Sequence, residues 1–95
     1  MKRFLGKMSS FMKKNHQCSL QYHNKKKESV FVISGSLYVT IKKNKRKIIK
    51  ILKKGQSILI EPKTIHRMKA KTDCIYLEAS TPEINDVVRL EDDYK

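Results

Sequence analysis

The amino-acid sequence predicts one small all-β domain, built as a barrel or a sandwich. Short apolar runs rich in β-branched and aromatic residues recur along the chain, and turn-forming residues separate them. No long stretch repeats its apolar residues with the period of an α-helix. The chain has 95 residues, which is enough for one hydrophobic core and too few for two. We therefore expect a single domain that spans residues 1–95.

The apolar runs divide the chain into eight strands and a C-terminal segment. The run ESVFVIS is rich in β-branched and aromatic residues, and Gly35 ends it where a tight turn needs a residue without Cβ. The runs SLYVTI and KIIKIL flank a basic segment and predict a hairpin. The tail, residues 83–95, fits either a last strand or a short helix. In order, the predicted strands are residues 4–12, 18–23, 28–34, 36–41, 47–52, 56–60, 65–70 and 74–80.

A net charge of +13 at pH 7 raises the question of a polyanionic partner. The lysines are spread along the whole chain, and two clusters, Lys25–Lys27 and Lys42–Lys47, fall at expected turns, where solvated charge is usual. No nucleic-acid-binding motif accompanies the charge, so we expect no nucleic-acid partner. A basic rim would instead attract small anions such as sugar phosphates.

The sequence indicates a cytoplasmic protein without a membrane partner. Its apolar runs are too short for a transmembrane helix, and its N-terminal segment lacks the continuous apolar region of a signal peptide. Cys18 and Cys74 are too few for a disulfide framework. We expect both to be small, buried free thiols.

Four side chains are expected to converge on one point of the barrel. Gln21 and His23 lie two residues apart on a strand and therefore project to the same face. After a short turn, Glu28 begins the next strand, and His66 follows a glycine, a strand and a proline in GQSILIEPKTIHR. Two imidazoles, a carboxylate and an amide oxygen suit Zn²⁺, although Fe²⁺, Mn²⁺ and Ni²⁺ accept the same ligand types. The alternative is that His23 and Glu28 form one hydrogen-bonded polar pair at the barrel mouth, and that His66 is a core histidine whose ring nitrogens are hydrogen-bonded.

These spacings resemble the two sequence motifs of the cupin superfamily. The first is H-x4-E-x6-G from His23 to Gly35, and the second is G-x10-H from Gly55 to His66, with a proline between its ends. Gln21 stands where cupins usually carry histidine, but it matches the mannose-6-phosphate isomerase cupins. The stretches SLQYHNKKKES, IEPKTIHRM and DVVRLEDDY also resemble, in the same order, the C-terminal cupin domain of bifunctional mannose-6-phosphate isomerase/mannose-1-phosphate guanylyltransferases.

The resemblance covers about residues 18–94 and implies a jelly-roll barrel, also called a double-stranded β-helix, that holds a divalent metal. It implies aldose–ketose isomerisation of a sugar phosphate as the reaction. The metal would polarise the sugar oxygens and stabilise an enediolate. No further acid of a motif is expected to face inward, so no general base is identified and the catalytic residues remain unknown.

Two other functions fit the same residues. Only the cupin part of the bifunctional enzyme is present in the sequence, which favours a non-catalytic cupin of polysaccharide synthesis that binds a sugar phosphate or a nucleotide sugar. His23, Glu28 and His66 are also a two-histidine, one-carboxylate set, which is typical of iron-dependent dioxygenases.

A few residues outside the metal set have predicted roles. Arg89 would reach a substrate phosphate if the tail folds over the barrel mouth, although an ion pair with a neighbouring acid is the simpler account. Phe31 and Ile33 alternate with Glu28 and should face away from it. These apolar side chains need cover, and cupins that the sequence resembles are commonly dimers, so we expect a homodimer.

Overall fold

The all-β class agrees with the sequence prediction, and the described residues form nine strands where the sequence predicts eight and leaves the tail open. The computed structural model describes residues 6–81 and 86–91, and no helix occurs among them. The C-terminal segment, for which the sequence left strand and helix open, contains a strand, and residues 83–85 and 92–95 lie outside the described ranges. The strands are β1 Gly6–Met12, β2 Leu20–His23, β3 Glu28–Ser34, β4 Ser36–Lys43, β5 Arg46–Lys53, β6 Ser57–Ile60, β7 Ile65–Ala70, β8 Cys74–Ser80 and β9 Val87–Glu91.

The strands form two antiparallel sheets that pack face to face. Sheet A has the order β1-β8-β3-β6, and sheet B has the order β5-β4-β7-β2-β9. Most neighbours within a sheet are distant in sequence, and the chain passes between the two sheets several times. This arrangement agrees with the jelly-roll barrel that the sequence resemblance implies. No helix of the described residues is long and apolar enough to span a membrane.

The hydrophobic core lies between the two sheets. Alternate residues of β3 and β4 point into it, and Val30, Val32, Leu37 and Val39 are completely buried. Cys74 joins this core, and both cysteines are free thiols as expected, but Cys18 is only partly buried. At one end of the barrel the buried residues change from apolar to polar: His23, Glu28, Thr64, His66 and Thr81. The change from apolar to polar residues marks the end of the barrel where a site can form.

The β4–β5 hairpin differs in one respect from the prediction. Its turn consists only of Asn44 and Lys45, both at positive φ, which is the geometry of a tight two-residue hairpin turn. The other basic residues of the cluster, Lys42, Lys43, Arg46 and Lys47, belong to the strands. The cluster is therefore part of the sheet surface and is not a flexible basic turn.

Candidate metal centre

Three chain connections meet at the polar end of the barrel. The loop between β2 and β3 follows His23 and precedes Glu28, and the Lys63 amide donates a hydrogen bond to the His23 carbonyl over 2.5 Å. Thr81, which follows β8, donates its backbone N–H to the Lys27 carbonyl, and its hydroxyl oxygen accepts a hydrogen bond from the Lys27 amide. Because these hydrogen bonds fix the ends of the strands, they also fix the side chains that those ends carry.

His23, Glu28 and His66 form a buried cluster at this end. One ligand atom from each residue lies within 4.8 Å of the ligand atoms of the other two. Glu28 Oε1 is 3.7 Å from His66 Nε2 and is in contact with His23 Nε2. The two imidazole rings are tilted by 37° with their centroids 5.6 Å apart. Since a divalent metal holds its ligands about 2.0–2.3 Å away, atoms this close can share one ion.

The orientation of the His66 ring favours metal binding. Its Nδ1 lies 2.9 Å from the Thr64 carbonyl oxygen, so Nδ1 carries the proton and donates it to that carbonyl. Nε2 then presents its lone pair toward Glu28 and His23, as a metal ligand must. Burial also lowers the pKa of His66, which keeps the imidazole neutral near pH 7.

The unsatisfied polar atoms of the cluster fit a cation. His23 Nδ1, His23 Nε2 and Glu28 Oε1 are buried and make no hydrogen bond within the described residues. Burial raises the pKa of Glu28, but the contact with His23 outweighs it, so the pKa of this carboxyl falls below its ordinary value. A buried carboxylate beside an imidazole whose two nitrogens make no hydrogen bond would be costly in the core. A divalent metal bound to these atoms would remove that cost.

Gln21 lies beside the cluster. It is paired with His66 across β2 and β7, so both side chains project to the inner face of sheet B. Its Oε1 accepts a hydrogen bond from the Ser19 hydroxyl over 2.6 Å. An amide oxygen has two lone pairs, so Gln21 retains one for a metal or a bound water.

The structure adds an acid that we did not expect at the site, Glu78 on β8. Its side chain is hydrogen-bonded to Glu28, and burial together with the charge of Glu28 raises the pKa of Glu78 to about 7. The expectation from the sequence concerned only the acids of the motifs, and Glu78 lies outside them. The signal lay in the alternation of CIYLEAS, where Glu78 is in phase with the buried residues Cys74 and Tyr76.

The remaining predicted residues take separate positions. Arg89 lies on β9 directly opposite Gln21 and is exposed. His16, the remaining histidine of the chain, is exposed in the segment between β1 and β2. Arg67 points away from His66, and its guanidinium donates to the Cys18 carbonyl and pairs with Glu91 on the outer face of sheet B.

The family and the fold are supported by comparison with known proteins. The family model described as "Cupin domain" matches residues 9–80. No curated protein sequence matches the chain. The structures of QdtA, a sugar 3,4-ketoisomerase from Thermoanaerobacterium thermosaccharolyticum solved with TDP or TDP-4-keto-6-deoxyglucose, superpose with a TM-score of 0.81 at 18% identity. This match covers 90% of the chain and 66% of QdtA.

Two larger proteins contain a similar barrel. CapF, a capsular polysaccharide assembling protein of Staphylococcus aureus, matches 95% of the chain at 18% identity with a TM-score of 0.81. Oxalate decarboxylase of Bacillus subtilis matches 88% of the chain at 21% identity with a TM-score of 0.80. The chain spans 27% and 23% of these two proteins, respectively. At such identities the likeness concerns the fold, and none of these three proteins is a mannose-6-phosphate isomerase.

The family match and the geometry of the polar end agree. The matched region includes Gln21, His23, Glu28, His66 and Glu78, and the fold places these five residues at one end of the barrel. Cupins commonly hold a divalent metal, and the histidine–glutamate–histidine cluster provides the ligands for one. This chain belongs to the cupin domain family.

Proposed function

We propose that this cupin holds a divalent metal at His23, Glu28 and His66 and binds a nucleotide sugar or sugar phosphate beside it. The observation that carries the proposal is the cluster of buried ligand atoms without hydrogen-bond partners. Zn²⁺ suits two imidazoles and a carboxylate, and Fe²⁺, Mn²⁺ and Ni²⁺ accept the same set. A bound divalent metal would supply Lewis-acid polarisation of sugar oxygens. Gln21 would complete the ligand set or orient a water.

The charges around the polar end favour an anionic ligand. The β2–β3 loop carries Lys25, Lys26 and Lys27, and Arg89 lies on the neighbouring strand β9. Cations around a concave site raise the local concentration of phosphate esters. QdtA, with a similar fold, has been solved with a TDP-sugar, which supports the nucleotide-sugar reading over mannose 6-phosphate. In this role Arg89 binds a phosphate of the ligand.

Sugar-phosphate isomerisation is the second candidate function, and Glu78 is the observation that favours it. Isomerisation needs a group that moves a proton between adjacent carbons, and Glu78 places a second carboxyl beside Glu28. Incubation with mannose 6-phosphate or fructose 6-phosphate tests this role. Metal-dependent interconversion that Glu78→Gln abolishes would establish an enzyme, whereas no turnover would leave the binding function alone.

The metal content of the purified protein tests the site itself. We expect close to one divalent ion per chain in the wild-type protein and a loss of the ion in His66→Ala, because one of three ligands is gone. His16→Ala is the matched control, since it removes an exposed histidine outside the cluster. Iron together with substrate-dependent oxygen uptake would favour a dioxygenase. Wild-type protein without metal would contradict the proposal.

Calorimetric titration tests the ligand. We expect GDP-mannose, a TDP-sugar or mannose 6-phosphate to bind the metal-loaded protein, with weaker binding to Arg89→Ala. Lys54→Ala removes the same charge from the turn after β5 and should bind like the wild-type protein. If none of these ligands binds, the sugar assignment fails, while the metal measurement still reports on the site.

A further inference from the structure

A second concave surface lies on the outer face of sheet B, on the far side of the sheet from the metal centre. It is a shallow groove of about 270 Å³. Tyr38 and Thr40 project to this face because their neighbours Leu37 and Val39 point into the core. The groove is lined by Gln17, Tyr38, Thr40, Ile49, Arg67 and Lys69.

The centre of this face is aromatic and apolar. The Tyr38 ring is half-buried, and Ile51 on β5 and Lys69 on β7 are its cross-strand neighbours. Ile49 and Ile51 are 56% and 42% exposed, so they extend the apolar surface beside the ring. A flat sheet that presents an aromatic ring between aliphatic side chains offers a platform on which a planar base can stack.

Positive charge surrounds this platform on several sides. The Lys71 ammonium lies 6.0 Å from the centre of the Tyr38 ring. Lys69 lines the groove, while Arg67 is already engaged with Cys18 and Glu91. The chain has no acidic residue between Glu28 and Glu61, so strands β4 and β5 contain no acid, and neither does β7. The sequence shows lysines spread along the chain, but the fold brings those of β4, β5 and β7 together on one sheet.

The β4–β5 hairpin places like charges directly opposite each other. Lys42 is paired with Lys47 on the outer face, in phase with Tyr38, whereas Lys43 and Arg46 are paired on the opposite face. Like-charged cross-strand pairs destabilise a hairpin, and a bound anion relieves the repulsion. The Lys42–Lys47 pair is an observation independent of the groove, and it also indicates an anionic ligand on this face.

In contrast to the expectation from sequence motifs, we infer that the outer face of β4, β5 and β7 binds single-stranded nucleic acid. Bases stack on Tyr38 and on the isoleucines beside it, and the lysines of the outer face contact the phosphates: Lys42, Lys47, Lys53 and Lys69. The cations extend well beyond the groove to the tip of the hairpin, which is more than one nucleotide needs. A strand of several nucleotides matches this extended charge, and its bases match the central ring.

Fluorescence anisotropy with a labelled oligothymidylate of about 20 nucleotides tests the inference at roughly physiological salt. We expect binding that weakens about 5- to 100-fold in Tyr38→Ala, because stacking on the ring is lost, and that persists in Tyr38→Phe. In Lys69→Gln, the slope of a plot of log K against the logarithm of the salt concentration should fall in magnitude by about one. Lys13→Gln is the control, since Lys13 is an exposed lysine outside these strands, in the turn after β1.

Competitors separate this surface from simpler explanations. Unlabelled oligothymidylate should displace the probe far better than thymidine monophosphate or a polyphosphate of equal length. Equal displacement by the monophosphate would mean that the groove binds a single nucleotide. Equal displacement by polyphosphate would mean that the probe binds through its charge alone. Either result overturns the inference. Unchanged binding in Tyr38→Ala, or no binding at this salt concentration, would also overturn it. Removal of metal with a chelator should leave oligonucleotide binding intact, so this test is independent of the metal centre.

Discussion

At the scale of single residues, the metal centre depends on side chains that hold its ligands in place. Thr64 fixes the tautomer of His66 through a backbone carbonyl. Glu78 is hydrogen-bonded to Glu28, and its pKa of about 7 allows the carboxyl to donate a proton in that contact. Groups of this kind orient the ligands before the metal arrives and make them more basic.

Glu78→Ala is therefore expected to weaken metal binding. The change removes the hydrogen-bond donor to Glu28, and losses of such partners reduce metal affinity about 10- to 100-fold. Glu78→Gln should retain most of the affinity, because its amide group can still donate to Glu28. Competition with a chromogenic chelator measures both variants. Equal affinities for wild type and Glu78→Ala would show that Glu78 does not support the ligand.

Asp86 provides a prediction about pH. Its carboxylate accepts hydrogen bonds from the Lys25 and Lys26 amides over 2.7 and 2.8 Å. The Lys25 hydrogen bond is the largest cause that lowers the pKa of Asp86 from its ordinary value of 3.8. Because the folded-state pKa is the lower one, the stabilisation is fully present above about pH 4 and is lost as the pH falls through the folded-state pKa.

Thermal unfolding of the wild-type protein and of Asp86→Ala, measured from neutral to acid pH, tests the predicted loss of stabilisation by the Asp86 carboxylate. The variant should melt at a lower temperature at pH 7, and the difference between the two proteins should shrink below pH 4. A difference that stays constant down to the lowest pH would mean that the carboxylate charge contributes nothing to the loop.

At the scale of elements, the connection between β3 and β4 depends on one glycine. Gly35 has a φ of +79°, and a Cβ at this position would meet the Asp73 carbonyl oxygen and lie 2.9 Å from Cys74 Cα and Thr72 Oγ1. Gly55, after β5, has a similar φ of +84° but nothing within 4 Å of a Cβ. Substitutions at the two glycines therefore distinguish the cost of backbone strain, present at both, from the cost of a steric clash, present only at Gly35.

Gly55→Ala should lower the free energy of unfolding by about 1–2 kcal/mol, which is the cost of the left-handed conformation alone. Gly35→Ala should cost clearly more, since the backbone of residues 72–74 must also move. Urea denaturation of both variants measures the difference. Equal losses would show that the close approach at Gly35 is relieved without cost.

At the scale of the whole molecule, the outer face of sheet A is apolar. Phe11 is 64% exposed and Leu59 is 48% exposed, and Phe31, Ile33 and Ile75 are each about 40% exposed. These residues alternate with the core residues of their strands, so they lie on the outer face of the sheet. Few charged residues interrupt this face in a chain of net charge +13. We therefore expect a second copy of the chain to cover this face, because two positively charged chains repel each other least where their contact surfaces are uncharged.

Light scattering coupled to size-exclusion chromatography tests this expectation. The wild-type protein should be a dimer, and Phe31→Lys should be a monomer, because it would bury a charge in the interface. Ile49→Lys makes the same chemical change on the outer face of sheet B and should remain a dimer. Monomeric wild-type protein at micromolar concentrations would contradict the assignment of this face.

Much of the fold follows from local pattern. The alternation of apolar and polar residues predicts the eight strands before the tail, because each strand has one face in the core. Only the tail was ambiguous, since VVRLE is short and its residues are largely exposed. Its pairing with β2 made it a strand, and such a long-range partner is not visible in a local window.

The candidate site likewise depends partly on local sequence pattern and partly on long-range strand pairing. The sequence by itself determined the all-β class, the strand positions and the motif residues His23, Glu28 and His66, because strand periodicity and motif spacing are local properties of the chain. Only the tertiary structure decided that Glu78 stands beside Glu28, that Arg89 lies opposite Gln21, and that lysines of β4, β5 and β7 meet on the outer face of sheet B. Each of these depends on which distant strands pair and in which register, and that choice is made by burial over the whole barrel.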